Sequence, residues 1–485
     1  MTERAPEYLP PGAALDTGPI NVIEPQNLKK TVRGAIVGNI MEWYDVGVFG
    51  YLVTTLGKVF LPDANSATQI IFVLGTFAST YLLRPLGGLF FGWLGDRVGR
   101  KRVLFATLAL VATATFLIGV LPGYDTIGIA AAVLLMLLKV VQGFSAGGEL
   151  TGALSLVGES APDKRRGFYC ALLDGGSYLG FVLGATFVTL LQLTLGQDGM
   201  TDWGWRIPFL LAGPLGLIAV YQRMRMEESP HFCALLEQHG TPAQGDRTKK
   251  LKVNPLRVFR QNWRVMLIAI VLVAAANSAG YAFTSYMPTY LSTVESYNDA
   301  QSNLITLPLL ALLAFSMPFV GALSDRVGRK PMLFVGAVWM IVLSVPAFLL
   351  MDSGNSGLVI VGLALIGIPV ALYNGTLDAT YPEMFPTSSR NTSLGASYNI
   401  SVAIFGGTGP VFIDYLIRVT GSHLAAPYYL MGMSVAGFIA ILFLTETAGK
   451  PLNGSAPNVQ TELEAHVSQA AASKPAPVMT GEERS

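Results

Sequence analysis

The amino-acid sequence predicts an all-α integral membrane protein, with 12 transmembrane helices in two pseudo-symmetric six-helix bundles. Composition is the first reason: 52% of the 485 residues are hydrophobic and 13% charged, with a mean hydropathy of +0.49. Soluble domains carry about 25% charged residues, so lipid must solvate most of this chain. The second reason is a charged phrase written twice, Gly95-Asp96-Arg97-Val98-Gly99-Arg100-Lys101 and Ser324-Asp325-Arg326-Val327-Gly328-Arg329-Lys330, at matching places in the two halves. The third is an echo: Glu159, Pro162 and Arg166 recur as Glu383, Pro386 and Arg390 with the same internal spacing. A duplicated polar pattern between apolar runs marks a carrier whose two similar bundles rock about a central site.

In chain order, residues 1–30 are polar, lack the basic-then-apolar layout of a cleaved leader, and read as a retained N-terminal tail. Apolar runs near 33–58, 69–94, 103–121, 127–157, 167–192 and 206–222 form a first bundle over 31–224. Each holds about the 20 residues a helix needs to cross roughly 30 Å of hydrocarbon. Their continuous hydrophobicity excludes the alternating strands of a membrane barrel. Residues 225–262 are polar and join the halves; the Glu227-Glu228-Ser229-Pro230 start allows a surface helix, but a solvated linker is the simpler expectation. A second bundle over 263–445 follows, with runs near 264–291, 303–323, 332–350, 358–380, 392–417 and 425–444. Residues 446–485, rich in Ala, Pro, Ser and Glu, read as a disordered tail. Cys170 and Cys233 show no metal or redox spacing and are expected as free thiols.

The connections set an orientation. Arg97, Arg100, Lys101 and Arg102, then Lys164 to Arg166, the central stretch, Arg326, Arg329, Lys330 and Arg390 fall on one side. The opposite loops, near 60–68, 121–127, 193–205, 293–303, 351–357 and 419–424, contain no Lys or Arg. Basic loops stay in the cytoplasm, so both termini are expected there.

Charged residues inside the spans point to the chemistry. A central Arg, Lys or Asp costs roughly 2.5 to 3.5 kcal/mol on insertion, so each should face a cavity or a partner. Glu42, Asp45, Glu149 and Asp174 are four acids against two bases, Arg84 and Lys139. Two acids are then left without internal partners, and a carboxyl unpaired in low dielectric takes up a proton. These four are the candidate proton-coupling groups, Glu42 foremost because it lies near mid-bilayer. Asp378 and Asp414 are expected to be solvated or to cap helices. The candidate solute-binding residues are Trp43, Tyr44, Phe144, Tyr178, Tyr281, Tyr373 and Tyr398, whose rings can hold a quaternary ammonium, with Asn374, Arg84 and Lys139 for the polar groups. The duplicated loops suggest a conformational latch made by Asp96, Arg97, Arg100, Glu159 and Arg166 and their copies Asp325, Arg326, Arg329, Glu383 and Arg390. Within it Asp96 is expected to pair with Arg166 or nearby groups in one state and release in the other.

The Gly95 to Lys101 phrase resembles the inner-loop signature of the major facilitator superfamily. Within it, Gly38-Asn39 with Glu42-Trp43-Tyr44-Asp45, Arg84-Pro85-Leu86-Gly87-Gly88 and Gln142-Gly143-Phe144-Ser145 are similar to the metabolite:proton symporter family. Gly147-Gly148-Glu149, Leu173-Asp174, Tyr286-Met287-Pro288 and Asn399-Ile400-Ser401 narrow the likeness, from about 28 to 455, to that family's proline and betaine carriers. The resemblance implies proton symport of proline, glycine betaine, ectoine or related zwitterions, often stimulated by high osmolality. It also implies a bacterial cytoplasmic (inner) membrane, a functional monomer, no cofactor besides the coupling proton and no nucleic-acid partner. The tail lacks the C-terminal coiled coil of some members, so osmotic tuning through that element is not expected. The alternative is a symporter of an organic acid of dicarboxylate, citrate or shikimate type; two buried bases suit a diacid, and the surplus of acids speaks against it. No nucleotide loop, metal cluster or nucleophile triad suggests an enzyme.

Overall fold

The computed structural model describes residues 20–238, 254–293 and 299–466. Numbering the spanning helices alone, the first half contains α1 (Pro25–Tyr51), α2 (Ser66–Val98), α3 (Arg100–Val120), α4 (Ala130–Ser160), α5 (Arg166–Gly199) and α6 (Arg206–Met224). The second contains α7 (Pro255–Tyr281), α8 (Asp299–Val327), α9 (Arg329–Met351), α10 (Ser356–Met384), α11 (Arg390–Ser401, resuming after a π turn as Gly409–Thr420) and α12 (Ala425–Phe443). Local chemistry sets several starts. Pro25 and Pro255 occupy first-turn positions where no backbone donor is needed. Asn65 accepts from the Thr68 N–H at 2.8 Å and so caps α2.

The repeated phrase makes the same corner twice. Gly99 (φ 106°) and Gly328 (φ 112°) sit where a side chain would be strained, and each turns one helix directly into the next. A carboxylate then caps the new helix in both copies. Glu228 accepts from the Arg100 N–H at 2.9 Å, and Glu446 from those of Arg329 and Lys330 at 2.9 and 3.0 Å.

Ten of the described helices are long and apolar enough to cross a membrane; α1 and the interrupted α11 fall short. Both belong to the twelve-helix architecture all the same: α1 buries the charged Glu42 and Asp45, and the first part of α11 is enclosed by protein. Every residue from Arg390 to Asn399 is buried, so the polar groups there meet partners instead of acyl chains. The apolar exterior is carried by residues such as Leu82, Leu217 and Phe319, which are 67, 74 and 72% exposed.

The two bundles meet through α2 against α11 and α5 against α8, with glycines at both seams. A Cβ on Gly88 would lie 2.4 Å from the Gly395 carbonyl oxygen, and one on Gly395 equally close to that of Gly88. Gly167 and Gly321 repeat the arrangement at 2.4 and 2.3 Å. Only glycine permits backbones this near.

The terminal segments differ from the sequence-based expectation. Strand β1 (Asn21–Val22) pairs in parallel with β2 (Asn458–Val459), and α1 begins at Pro25. Residues 446–466 are therefore a folded strap rather than a disordered tail, since its backbone and Asn458 find partners on the bundles. Part of the linker is also ordered: a helix covers Pro230–Gln238, and Ser229, His231 and Phe232 are buried. Burial of that apolar face explains why it is not a plain solvated loop. The rest of the expected tails and linker, 1–19, 239–253 and 467–485, lies outside the described residues.

Candidate functional site

Three of the four candidate coupling acids are tied up in ion pairs. Arg84 donates to Glu42 at 2.7 Å. Lys139 donates to Asp45 at 3.0 Å while Gln142 reaches the other oxygen at 3.1 Å. Glu149 is clamped by Arg223, one bond being 2.8 Å, and also accepts from Thr107 at 2.8 Å. Arg223 is the base that the hydropathy reading leaves outside the spans; it lies in the last turn of α6 and is fully buried. The expected surplus of two unpaired acids among Glu42, Asp45, Glu149 and Asp174 thus shrinks to one, Asp174.

Asp174 opens onto a cavity between the bundles. Its walls come from Trp43 of α1; Asp174, Ser177, Tyr178 and Phe181 of α5; Asn277, Gly280 and Tyr281 of α7, with Thr284 just beyond; Asn374, Asp378 and Tyr381 of α10; and Tyr398 of α11. The empty space, mouth included, is about 510 Å³. Helical periodicity places these groups: 374, 378 and 381 share one face, as do 174, 177, 178 and 181. Aromatic faces dominate the lining. Trp43 and Tyr281 have ring centroids 6.1 Å apart, Tyr381 and Tyr398 6.0 Å. Asn374 donates to the Tyr178 hydroxyl at 3.0 Å, tying the second bundle to the first. Such a wall suits a compact solute with a cation for the rings and polar groups for the amides.

Of the candidate solute-binding residues, Trp43, Tyr178, Tyr281, Asn374 and Tyr398 line the cavity, and five do not. The Tyr44 hydroxyl bonds to the Pro208 carbonyl inside the first bundle. Phe144 packs between Phe90 and Phe91, and Tyr373 is fully buried. Lys139 sits 4.3 Å from the Phe49 ring centroid in its pair with Asp45. Arg84 lies behind Tyr81, which stands edge-on to Tyr281. Missed by the sequence reading are Asp378 and Tyr381. Asp378 is not solvated: it is 3% exposed and its Oδ2 has no hydrogen-bond partner. The i, i+4, i+7 stripe Asn374, Asp378, Tyr381 was the available signal. Asp414, by contrast, is exposed and paired with Arg418 at 2.7 Å.

The latch residues assemble into a crossed gate on the face that carries the β1–β2 strap. Asp96 of α2 accepts from the Asn391 and Thr392 N–H groups at 3.2 and 2.8 Å and from the Thr392 hydroxyl at 2.7 Å, capping α11 of the other bundle. Asp325 of α8 does the same for α5, accepting from Gly167 and Phe168 at 2.8 and 3.0 Å. Glu159 joins Arg100 of its own half at 3.2 Å to Arg390 of the other, and Glu383 joins Arg329 to Arg166, both at 3.0 Å. Asp96 therefore meets Arg100 at 3.4 Å and a helix N-terminus rather than Arg166, because Arg166 is taken by Glu383 and Asp163. Arg97 lies over the Trp93 ring at 5.1 Å and Arg326 is exposed; neither enters the network. His231 on the linker helix borders it, and burial pushes its imidazole down to about 4, so the ring is neutral. The strap crosses the same face. Asn458 donates to the Glu159 and Ala161 carbonyls at 2.9 and 3.1 Å, and Thr447 donates to Glu383 at 2.6 Å. With both crossed pairs made, this face is shut.

A model described as the Major Facilitator Superfamily matches residues 35–410 and 302–479. The chain belongs to the major facilitator superfamily. Within that superfamily it is 46% identical over 451 residues to the ectoine/proline transporter ProP of Corynebacterium glutamicum, covering 92% of this chain and 90% of that one. It is 42% identical over 443 residues to the proline/betaine transporter of Escherichia coli, covering 90% and 87%. The OusA transporter of Dickeya dadantii, named for glycine betaine, proline, ectoine and pipecolic acid, is 42% identical over 442 residues, covering 90% and 87%. Among solved structures, the proton:xylose symporter XylE superposes with a TM-score of 0.71 at 16% identity, over 88% of this chain and 98% of that one, which speaks for the fold alone.

Proposed function

We propose that this protein is a secondary active transporter that imports zwitterionic compatible solutes, such as proline, glycine betaine or ectoine, together with protons by alternating access. The observation that carries this reading is the cavity between the bundles. It offers aromatic faces, side-chain amides and two carboxyl groups, and among the described residues no Lys or Arg lines it. A zwitterion brings its own positive charge to those faces and acids. A dicarboxylate or shikimate would need a base in the wall, and Arg84 and Lys139 are both committed to acids outside it. The named relatives point to the same solutes. The protein works as a monomer in a bacterial cytoplasmic membrane, with both termini and the gate face toward the cytoplasm and no cofactor beyond the coupling proton.

The test is uptake of labelled proline into vesicles reconstituted with the purified protein. An imposed inward proton gradient should drive accumulation that an uncoupler abolishes and that excess betaine or ectoine, but not a panel of dicarboxylates, suppresses. Uptake that ignores the gradient, or that dicarboxylates suppress instead, rules the reading out.

A further inference from the structure

We propose that Asp174 and Asp378, one from each bundle, hold the transported proton between them while the gate face is shut, and that this pair rather than Glu42 couples proton to solute, a reading that rests on the symport function above. The other acids in the gate and the ion pairs already have cationic partners: Glu42 with Arg84, Asp45 with Lys139, Glu149 with Arg223, Glu159 with Arg100, Glu383 with Arg329. Among the described residues, no salt bridge joins Asp174 or Asp378 to a base. Both line the same cavity, Asp174 from α5 and Asp378 from α10. The second observation is the Asp378 Oδ2 atom, buried and without a hydrogen-bond partner; Glu42 Oε2 is likewise unpartnered, but the other oxygen of that carboxylate is neutralised by Arg84, which Asp378 lacks. Such an oxygen is stable only when something supplies a proton or a donor.

One proton satisfies both groups. A protonated carboxyl donates its O–H to the facing carboxylate, leaving a single negative charge where two would repel. That residual charge faces a cavity walled by Trp43 and Tyr281, where the cation of a zwitterion fits. The neighbouring titratable side chains are hydroxyls and a thiol: Tyr178 and Cys170 on α5, Tyr281 on α7, Tyr381 on α10 and Tyr398 on α11. On α1 the buried acids Glu42 and Asp45 are held by Arg84 and Lys139, and α8 presents Ala314 and Met317 beside Gly175.

Placement across the bundle boundary supplies the coupling. Asp174 rides on α5 and Asp378 on α10, so parting of the bundles on the gate face draws the two carboxyls apart. The proton then loses its second oxygen and meets water, which restores an ordinary carboxylic acid that ionises. The cycle balances: one proton enters from the far side, bridges two oxygens and leaves on the gate side, while the solute crosses unchanged.

The experiment uses the full-length protein in vesicles under a gradient of one pH unit, across which one proton per solute sustains about tenfold accumulation. Asp174→Asn and Asp378→Asn should each lower that ratio to about one, and Asp378→Glu, which keeps a titratable group, should restore it in part. Asp414→Asn, at the exposed pair with Arg418, serves as the control and should accumulate solute as the parent does. Normal accumulation by both asparagine variants overturns the assignment, as does a Glu42→Gln variant that folds, keeps gradient-independent uptake and alone loses coupling. Failure of the parent protein to respond to the gradient sinks the symport reading itself. A readout that needs no variant is infrared spectroscopy of the parent at neutral pH. It should show a protonated-carboxyl band, and absence of that band also refutes the shared proton.

Discussion

At Glu42 the physical question is what a buried guanidinium does without its acid. Arg84 is 5% exposed and reaches Glu42 at 2.7 Å, with the Tyr81 ring 5.1 Å from its guanidinium carbon. Removing one member of a buried pair strands the other and typically costs about 3–5 kcal/mol, whereas removing both is far milder. Glu42→Gln should therefore lower the melting temperature of the detergent-purified protein sharply, and the Glu42→Gln/Arg84→Gln double variant should recover much of the loss. If the double variant melts below the single one, the pair is not the reason Glu42 is there. Loss of uptake in Glu42→Gln alone would report on folding as much as on coupling.

At the scale of the element, the strap turns a polar C-terminal segment into a brace. Its strand β2 pairs with β1, Asn458 grips the end of α4, and Asn458 N–H also donates to Asp163 at 3.0 Å. The strap touches the second bundle as well, where Glu446 caps α9 and Thr447 holds Glu383. Spanning both halves, it favours the shut gate over the open one. Ending the chain after Gly454 removes β2 and Asn458 while keeping Glu446 and Thr447. The native thiol of Cys170, 0% exposed beneath the gate, gives the readout. In a Cys233→Ser background, maleimide labelling of Cys170 should quicken on truncation while the protein stays folded and uptake persists. Labelling at the parent rate would show that the strap braces nothing.

For the whole molecule, the gate is a two-fold arrangement in which each half caps a helix of the other. Asp96 holds α11 and Asp325 holds α5, through hydrogen bonds to a charged acceptor worth about 1.5–3 kcal/mol apiece. Because the bundles move as bodies, loosening either cap should open both. Asp96→Asn and Asp325→Asn are each expected to speed Cys170 labelling by about tenfold, in line with a coupling of 1–3 kcal/mol. Hydrogen exchange should rise at the amides of residues 391–392 and of 167–168 in either variant. A change confined to the mutated cap would mean that the two corners act separately.

Much of this was already written in the chain. The paired Asp96 and Asp325 phrases, the Glu159 and Glu383 echo and the twelve apolar runs depend on local periodicity and duplication, which sequence displays directly. They determined the two-bundle fold and the gate residues, while the polar and aromatic residues within the runs supplied six of the cavity's lining side chains, Asp174 among them. The sequence could not say which charge meets which. Arg223 neutralises Glu149 from the far end of α6, Asp378 turns inward from α10, and residues 446–466 fold back across the chain's whole length to meet Asn21. Those outcomes rest on helices distant in sequence packing side by side, where a partner 2.8 Å away decides whether a buried charge is neutralised or left needing a proton.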